Sequence, residues 1–457
     1  MKVTVIGSGY VGLTIGISLA YLNHNVTLLD IDKEKIKSLK RKEIPIFENG
    51  LTEMLNIAYH NLTFAYSWED IEPNIDIIII AVGTPLGDDG NVDLSQIKEV
   101  AKKIGERVNR KKIPVVVIKS TVPIGTTEGV KRIIDQELRD RGINKEATVV
   151  FNPEFLREGR ALADFLYPDR IIIGTDDLNG SLLLKELYKQ IIEQSFSQPN
   201  FIDKPNIIRL PEVLITDSKS AEMIKYAANT FLAMKISFIN EFANLAEKVG
   251  ADITEIAKGI GLDRRIGLDF LNAGIGWGGS CLPKDTSAIL QTGKRFGLDM
   301  QLVQATINVN QFQKEWVIKK LQTLLHPIIG KTIGILGLTF KPNTDDLRNA
   351  PSIDIISKLL DLGVNIKVFD PVASDKFQKQ FPNIRVTYAS HLDELFKNSH
   401  GIVLLTEWEE FKNIPFEKLG SSMKEKIIID GRNVLNRKFL EKAGYIYIGV
   451  GRKTYEL

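Results

Sequence analysis

Short apolar runs recur along the chain between amphipathic stretches. KVTVIG (2–7), NVTLLD (25–30), DIIIIAVG (76–83), IPVVVIKS (113–120), ATVVFNP (147–153) and RIIIGT (170–175) are rich in valine and isoleucine and show no polar alternation. Strands buried on both faces of a parallel sheet have this pattern. Helical periodicity lies between several of them, at 11–22, 95–109 and 126–140. Strand and helix alternating in this way predict a doubly wound α/β domain over 1–210.

The pattern changes after Leu210. Thr216, Asp217 and Ser218 offer N-caps, and apolar residues then recur at helical spacing through Val249. Ile224, Ala228, Phe231, Phe238, Phe242 and Leu245 mark the stripe expected to be buried. A helix of about 30 residues is about 45 Å long, so it is expected to connect two domains. Further helical patterns at 252–260, 285–296 and 301–325 complete a central helical region, 211–325. From Lys331 the strand pattern resumes with KTIGILGL (331–338), NIKVFDP (365–371), GIVLLT (401–406) and KIIIDG (426–431). This predicts a second, smaller doubly wound domain over 326–457. The expected fold is therefore α/β, with two doubly wound domains joined by a central helical region that contains one long helix.

Composition narrows the function. Lysine and arginine total 59 against 57 aspartates and glutamates, a net charge of +2, which gives no electrostatic case for nucleic acid or a membrane surface. No apolar run approaches the roughly 20 residues of a membrane span. The opening MKVTVIGSG enters a strand at once and shows no signal-peptide core, so the cytoplasm is the expected location. A single cysteine forms no internal disulfide and no cysteine zinc site, and five scattered histidines form no ligand cluster, so no metal is expected. The open question is whether Cys281 is packing or chemistry.

Gly7-Ser8-Gly9-Tyr10-Val11-Gly12 follows the first strand directly and opens a helical pattern. Its glycines suit a tight turn, close approach of a pyrophosphate, and helix–sheet packing. Asp30 ends the next strand, where a carboxylate can accept bonds from a ribose hydroxyl. The set predicts a Rossmann-like dinucleotide site, and Asp30 favours NAD over NADP because it would repel a 2′-phosphate. Lys33 and Lys35 nearby weigh the other way. The second set, Gly334-Ile335-Leu336-Gly337-Leu338-Thr339-Phe340-Lys341, lacks the full spacing. It reads as a tight turn or as a site for a different phosphate-bearing ligand.

Gly276-Trp277-Gly278-Gly279-Ser280-Cys281-Leu282-Pro283-Lys284-Asp285 places the thiol at a predicted helix start beside Lys284, a setting that favours thiolate. A lone cysteine is more often a small buried hydrophobe. The glycines and the helix start favour a nucleophile, with Asp285 on the same face. On the long helix Lys225 and Asn229 also share a face, among Met223, Ile224, Tyr226 and Phe231, which points to a buried amine rather than a solvated one. Asn152-Pro153-Glu154-Phe155-Leu156-Arg157-Glu158-Gly159, Ser120-Thr121-Val122-Pro123 and Val82-Gly83-Thr84-Pro85 all follow strands. In an open parallel sheet those positions line the ligand crevice.

Taken together, GSGYVG, VGTP, STVPIGTT, NPEFLREG, KYAANTFLAMKISFINE, DRRIG, GIGWGGSCLPKD, GLTFKPNTDDLR and DGRNV resemble, in order and over nearly the whole chain, the UDP-glucose/GDP-mannose dehydrogenase family. The resemblance implies an NAD-binding Rossmann domain, a central region for dimerisation and substrate contact, and a C-terminal Rossmann-like domain for the UDP-sugar. It implies a four-electron oxidation of a primary alcohol to a carboxylate with two NAD⁺. Cys281 would add to the intermediate aldehyde as a thiohemiacetal, which is oxidised to a thioester and hydrolysed. Lys225 would stabilise an oxyanion or relay a proton, with Asn229 as its partner. Asp285 would position a water, Glu154 would act as base, and Thr121 would bind the water.

Cofactor contacts carried over are Gly7, Gly9, Tyr10, Val11, Gly12, Asp30, Lys35, Thr84, Pro85, Thr121, Glu158, Lys284 and Arg348. Substrate contacts are Glu154, Phe155, Leu156, Arg157, Lys225, Asn229, Arg265, Asn272, Gly276, Trp277, Gly278, Phe340, Lys341 and Arg432. Arg265 would reach the substrate of a neighbouring subunit, implying a homodimer or larger homo-oligomer. Ser280 before the cysteine and Lys284-Asp285 after it resemble family members that act on UDP-glucose, giving UDP-glucuronate. GDP-mannose and UDP-N-acetylhexosamines stay open as alternatives. So do a two-electron dehydrogenase without a covalent step and a non-catalytic sensor of NAD and nucleotide sugar.

Overall fold

Fourteen strands carry the framework among the described residues, 1–87, 89–205 and 208–453. In this computed structural model they form two sheets, each inside one of two compact units, Met1–Ala227 and Ala228–Leu457. The first sheet contains β1 (Lys2–Ile6), β2 (Asn25–Leu29), β3 (Leu62–Ala65), β4 (Ile77–Ile80), β5 (Val115–Ile118), β6 (Val149–Phe151), β7 (Arg170–Gly174) and β8 (Glu212–Thr216). Its order is β3-β2-β1-β4-β5-β6-β7-β8. All neighbours pair parallel except β6 and β7, which meet antiparallel at Phe151 and Gly174.

The apolar runs need no alternation because each face of the sheet has its own core. In β4, Ile77 and Ile79 join one buried cluster while Ile78 and Ile80 join the other. The first cluster is completed by the helices Tyr10–Tyr21 and Leu51–Ala58, and the second by Ser95–Arg107 and Thr126–Asp140. Truncating Ile79, fully buried, to alanine removes packing worth about 2–5 kcal/mol.

The second unit repeats the plan with β9 (Thr332–Leu336), β10 (Asn365–Phe369), β11 (Thr387–Tyr388), β12 (Gly401–Leu404), β13 (Ile427–Asp430) and β14 (Ile446–Gly449). Their order is β11-β10-β9-β12-β13-β14, all parallel. Ile427 and Ile429 of β13 face one core, and Ile428 faces the other.

The long helix runs Ser218–Val249, and Asp217 caps it by accepting the Ser220 N–H at 2.8 Å. Residues 218–227 belong to the first unit and 228–249 to the second. The expected buried stripe needs correction. Phe231, Phe238, Phe242 and Leu245 are 56, 45, 41 and 57% exposed. The packed face instead carries small or polar residues, Ala233, Ser237, Asn240, Ala243 and Ala246, together with Ile239. Small side chains let neighbouring backbone approach, and the large rings project the other way, with Phe238 and Phe242 4.7 Å apart. Two helix boundaries also differ from expectation. The helix expected at 285–296 starts earlier and spans Leu282–Arg295, with Pro283 in its first turn. The pattern at 301–325 forms two helices, Gln301–Gln313 and Glu315–Leu324, whose ladder breaks at Lys314 although the torsions there stay helical.

Candidate active site

In the first unit the strand order reverses between β1 and β4, the place where a doubly wound sheet opens a crevice at its carboxyl ends. Gly7 to Gly12 turn there from β1 into the helix Tyr10–Tyr21. No heavy atom lies within 4 Å of where a side chain on Gly9 would begin. Gly9 is the N-cap, no side chain caps the helix, and its first turn holds no acid. Open space above uncapped N–H groups fits a diphosphate.

Asp30 leaves β2 beside that turn. It accepts the Ser8 N–H at 2.8 Å, the Ser8 hydroxyl at 2.7 Å, Lys35 Nζ at 3.1 Å and the Asp32 N–H at 2.9 Å. Burial acts to raise its pKa, but the bonds from Asp32, Ser8 and Lys35 overcome that and hold it below the usual carboxylate range. The hydroxyl and ammonium are bonds that a ribose could exchange. These residues fit a dinucleotide.

The loops after β4, β5 and β6 share this end of the sheet. Thr84 donates its hydroxyl to the Thr121 carbonyl at 2.9 Å, while Pro85 is exposed. After β6, Glu154 is 7% exposed and Lys225 3%. Lys225 Nζ donates to Glu154 Oε1 at 3.0 Å and to the Glu154 carbonyl at 2.6 Å, and lies 5.1 Å from the Phe155 ring centroid. Glu154 Oε2 accepts the Leu156 N–H at 2.6 Å. Burial pushes the Glu154 carboxyl up, yet Lys225, the Leu156 N–H and Lys119 outweigh it and leave it below the ordinary range. Arg157 forms a fork on Asp164 at 3.0 and 2.6 Å. Glu158 is half-buried.

Two residues of this unit carry the site without having been foreseen. The Glu48 carboxylate is buried, bonds to the Tyr10 hydroxyl, and accepts the N–H groups of Gly159 at 2.6 Å and Ala161 at 2.7 Å. It ties the glycine turn to the end of the Glu154–Gly159 loop. Lys119 is the second, a buried lysine at the end of β5. Both stand in stretches whose only sequence signal is a charged side chain next to an apolar run.

In the second unit Cys281 is exposed and occupies the N-cap of the helix Leu282–Arg295. Its carbonyl accepts the Asp285 N–H at 2.8 Å. Asp285 is fully buried and accepts Asn229 Nδ2 at 2.6 Å, and Lys284 Nζ stands 2.8 Å from its other oxygen. Thus Asn229, Lys284 and Asp285 form one polar group at the first turn of the helix that Cys281 caps, joined to Cys281 through its carbonyl.

A cavity of about 590 Å³ lies beside it, lined by Asn272, Gly276, Trp277, Gly278, Leu282, Phe340, Lys341 and Arg432. Arg432 closes one wall. Its guanidinium donates to the carbonyls of Leu405 at 2.9 Å, Gly276 at 3.0 Å and Phe340 at 3.4 Å, and pairs with Glu407 at 3.2 Å. Asn310 fixes Trp277 by a reciprocal pair at 2.7 and 2.9 Å, and Ser237 accepts the Trp277 indole at 3.0 Å. Asn310 and Ser237 were also not foreseen, and a polar residue on a buried helix face is the signal that marks them.

Of the contacts predicted in the second unit, Asn229, Arg265, Lys284 and Arg348 are not among the residues that line the cavity. Arg265 is 84% exposed at its side chain and paired with Asp263, and Arg348 is 61% exposed and paired with Asp346. Among the described residues no cluster of histidine, cysteine and acid side chains could hold a metal ion, and no helix is long and apolar enough to cross a membrane.

The chain matches three models of one family, the UDP-glucose/GDP-mannose dehydrogenases. Residues 1–192 match its NAD binding domain, 219–312 its central domain and 334–437 its UDP binding domain. It is 43% identical to the UDP-glucose 6-dehydrogenase YwqF of Bacillus subtilis (strain 168), over 99% of this chain and 98% of that one. It is 42% identical to TuaD of the same organism, a UDP-glucose 6-dehydrogenase, over 99% and 93%. A solved structure of a UDP-glucose dehydrogenase from the archaeon Pyrobaculum islandicum superposes with a TM-score of 0.86 at 35% identity, covering 99% of this chain and 98% of that one.

Proposed function

The chain belongs to the UDP-glucose/GDP-mannose dehydrogenase family, and from that premise we propose that it oxidises C6 of UDP-glucose to give UDP-glucuronate. NAD, when bound at the Gly7–Gly12 turn with its ribose on Asp30, supplies the hydride acceptor for both oxidations. We assign three parts to the work: 1–210 holds the cofactor, 211–325 joins subunits and contacts substrate, and 326–457 holds the UDP-sugar.

The observation that carries this reading is the placement of Cys281. Cys281 is exposed at the N-terminus of a helix whose first turn carries buried Asp285, itself bonded to Asn229, and Gly278 and Leu282 on either side of it in the sequence line the large cavity. An aldehyde carbon has no hydrogen to surrender as hydride until a nucleophile adds. The Cys281 sulfur bonds to that carbon, the carbonyl oxygen takes the electron pair, and Asn229 or Lys225 steadies the charge. Oxidation of this thiohemiacetal leaves a thioester. Glu154, held ionised by Lys225, draws a proton from water, with Thr121 holding the water. Hydroxide oxygen then bonds to the acyl carbon while the carbon–sulfur bond breaks and the thiolate leaves.

The exposed rings of Phe231, Phe238 and Phe242 support association of two copies through the long helix. Arg265, extended into solvent, would then serve the neighbouring subunit. A thiol that must stay reduced suits the cytoplasm.

The test is NADH release from purified protein with UDP-glucose, UDP-N-acetylglucosamine, UDP-N-acetylmannosamine and GDP-mannose. Two NADH per sugar are expected with UDP-glucose and little turnover with the others. One NADH per sugar, with free aldehyde accumulating, overturns the covalent mechanism. Preference for another sugar overturns the substrate.

A further inference from the structure

Lys119 has no place in the chemistry above, yet it is 6% exposed at the base of Glu154. Its ammonium has an amide oxygen and a carbonyl as partners rather than a carboxylate: Asn152 Oδ1 at 2.8 Å and the Pro153 carbonyl at 3.3 Å. Asn152 is itself fixed, since Oδ1 accepts the Tyr188 hydroxyl at 2.8 Å and Nδ2 donates to the Ile172 carbonyl at 2.6 Å. The amine also stands 5.6 Å from the Tyr188 ring centroid. A buried lysine that hydrogen-bonds to neutral oxygens and feels Glu154 only through its charge is costly, and apolar packing would stabilise the fold better. Its retention here needs another explanation.

We infer that Lys119 is a positioning residue: it fixes the Asn152-Pro153-Glu154 turn and sets how strongly Glu154 takes a proton from water. The inference rests on Glu154 as the base of thioester hydrolysis. A small cavity of about 40 Å³ joins the two, lined by Lys119, Asn152, Glu154, Asp164, Arg170 and Tyr188. That is room for water between amine and carboxylate. The ionisable groups facing it are therefore Glu154 and Asp164, Arg170, Tyr188 and, from the long helix, Lys225.

Burial lowers the Lys119 pKa to about 7, with Lys225 adding to the fall and Glu154 opposing it. Its charge therefore changes across neutral pH. While charged, it weakens Glu154 as a base; once neutral, it leaves Glu154 stronger. Hydrolysis should rise with pH through neutrality.

The experiment tracks uronate formation in a quenched single turnover with UDP-glucose, between about pH 6 and 8.5, on the full chain. Wild type is expected to gain about threefold to tenfold, with a midpoint near neutral pH. Lys119→Met, which removes the charge and keeps the length, should lose the pH dependence and stay at the high-pH level. Lys119→Arg, charged throughout, should be flat at the low level. NAD affinity should stay within about twofold in both, which separates this role from a folding defect.

A flat wild-type profile overturns the inference without any variant. So does a Lys119→Met protein that keeps the wild-type midpoint, or one that loses hydrolysis and NAD affinity together. Glu154→Gln checks the underlying reading separately: hydrolysis at the wild-type rate there removes the base, whatever Lys119 does.

Discussion

The two sheets of this chain open with the same turn and put it to different uses. In each, a glycine leaves the first strand at positive φ, Gly7 at +93° and Gly337 at +91°. In each, that glycine donates to the end of the second strand, Gly7 to Leu29 at 2.8 Å and Gly337 to Phe369 at 2.9 Å. In each, an aspartate comes after the second strand and accepts from the turn: Asp30 from Ser8, Asp370 from Leu338 at 2.7 Å. The difference lies in the segment beyond the glycine. After Gly7 the helix begins at Tyr10, so its free N–H groups face the crevice. After Gly337 no helix forms until Pro351, and residues 338–350 carry Phe340, Lys341 and Arg348 instead. Asp30 keeps exchangeable partners, a hydroxyl and an ammonium. Asp370 gives its oxygens to the N–H groups of Leu338, Thr339, Val372 and Ala373 and to the Trp408 indole. One turn is left open for a ligand, and the other is closed into structure and lends its long loop to the neighbouring cavity.

Substitutions can break that contrast. Gly9→Val has the largest expected effect. Nothing lies within 4 Å of a side chain there, so the fold should survive while the pyrophosphate path is filled. NAD affinity should fall by about 100-fold or more, with UDP affinity unchanged, as read by calorimetry. Equal losses for both ligands would deny that the first turn is the cofactor site. Gly337→Ala should show the opposite. A methyl group would meet Thr406 at 2.4 Å on a backbone already at positive φ, so a loss of about 1–3 kcal/mol in urea is expected, with NAD affinity untouched.

The aspartates sharpen the same point. Asp370→Asn should cost about 1–3 kcal/mol of stability, since an amide nitrogen cannot accept from the N–H groups it would face. Asp30→Asn should instead weaken NAD by about tenfold. The smallest effect is one of pH. The folded Asp30 carboxyl lies below its ordinary value of 3.8, so its stabilising contribution is complete above that value and lost as pH falls through the folded pKa. The stability gap between wild type and Asp30→Asn should close in acid below about pH 4, and a gap that widens there would contradict the hydrogen bonds described.

Legibility in the sequence obeys the same physics. The inner strands of both sheets appear as apolar runs because most of their residues are buried, although β10 keeps a partly open face at Asn365, Lys367 and Phe369. The four strands that escaped, β3, β8, β11 and β14, are the four edges. In β8 every residue is at least partly exposed, and β11 is two residues long, so neither carries a two-faced core signal. The glycine turn, Asp30 and the Cys281 helix start were legible because their spacing is local. Glu48, Lys119, Asn310 and Ser237 were not, because each acts on a loop distant in sequence, as Glu48 does on Gly159. The exposed rings on the long helix misled for a related reason: helical spacing reveals one face, not which face is covered.

The central claim is covalent capture at Cys281, and trapping the intermediate tests it most directly. Glu154→Gln protein is mixed with UDP-glucose and NAD, quenched in acid, digested and weighed. The account predicts that the Cys281 peptide carries the mass of a UDP-glucuronyl thioester, and that the adduct is absent when Cys281→Ala is added to the same chain. Uronate formed by Cys281→Ala at the wild-type rate, with no adduct on the Glu154→Gln protein, would contradict it.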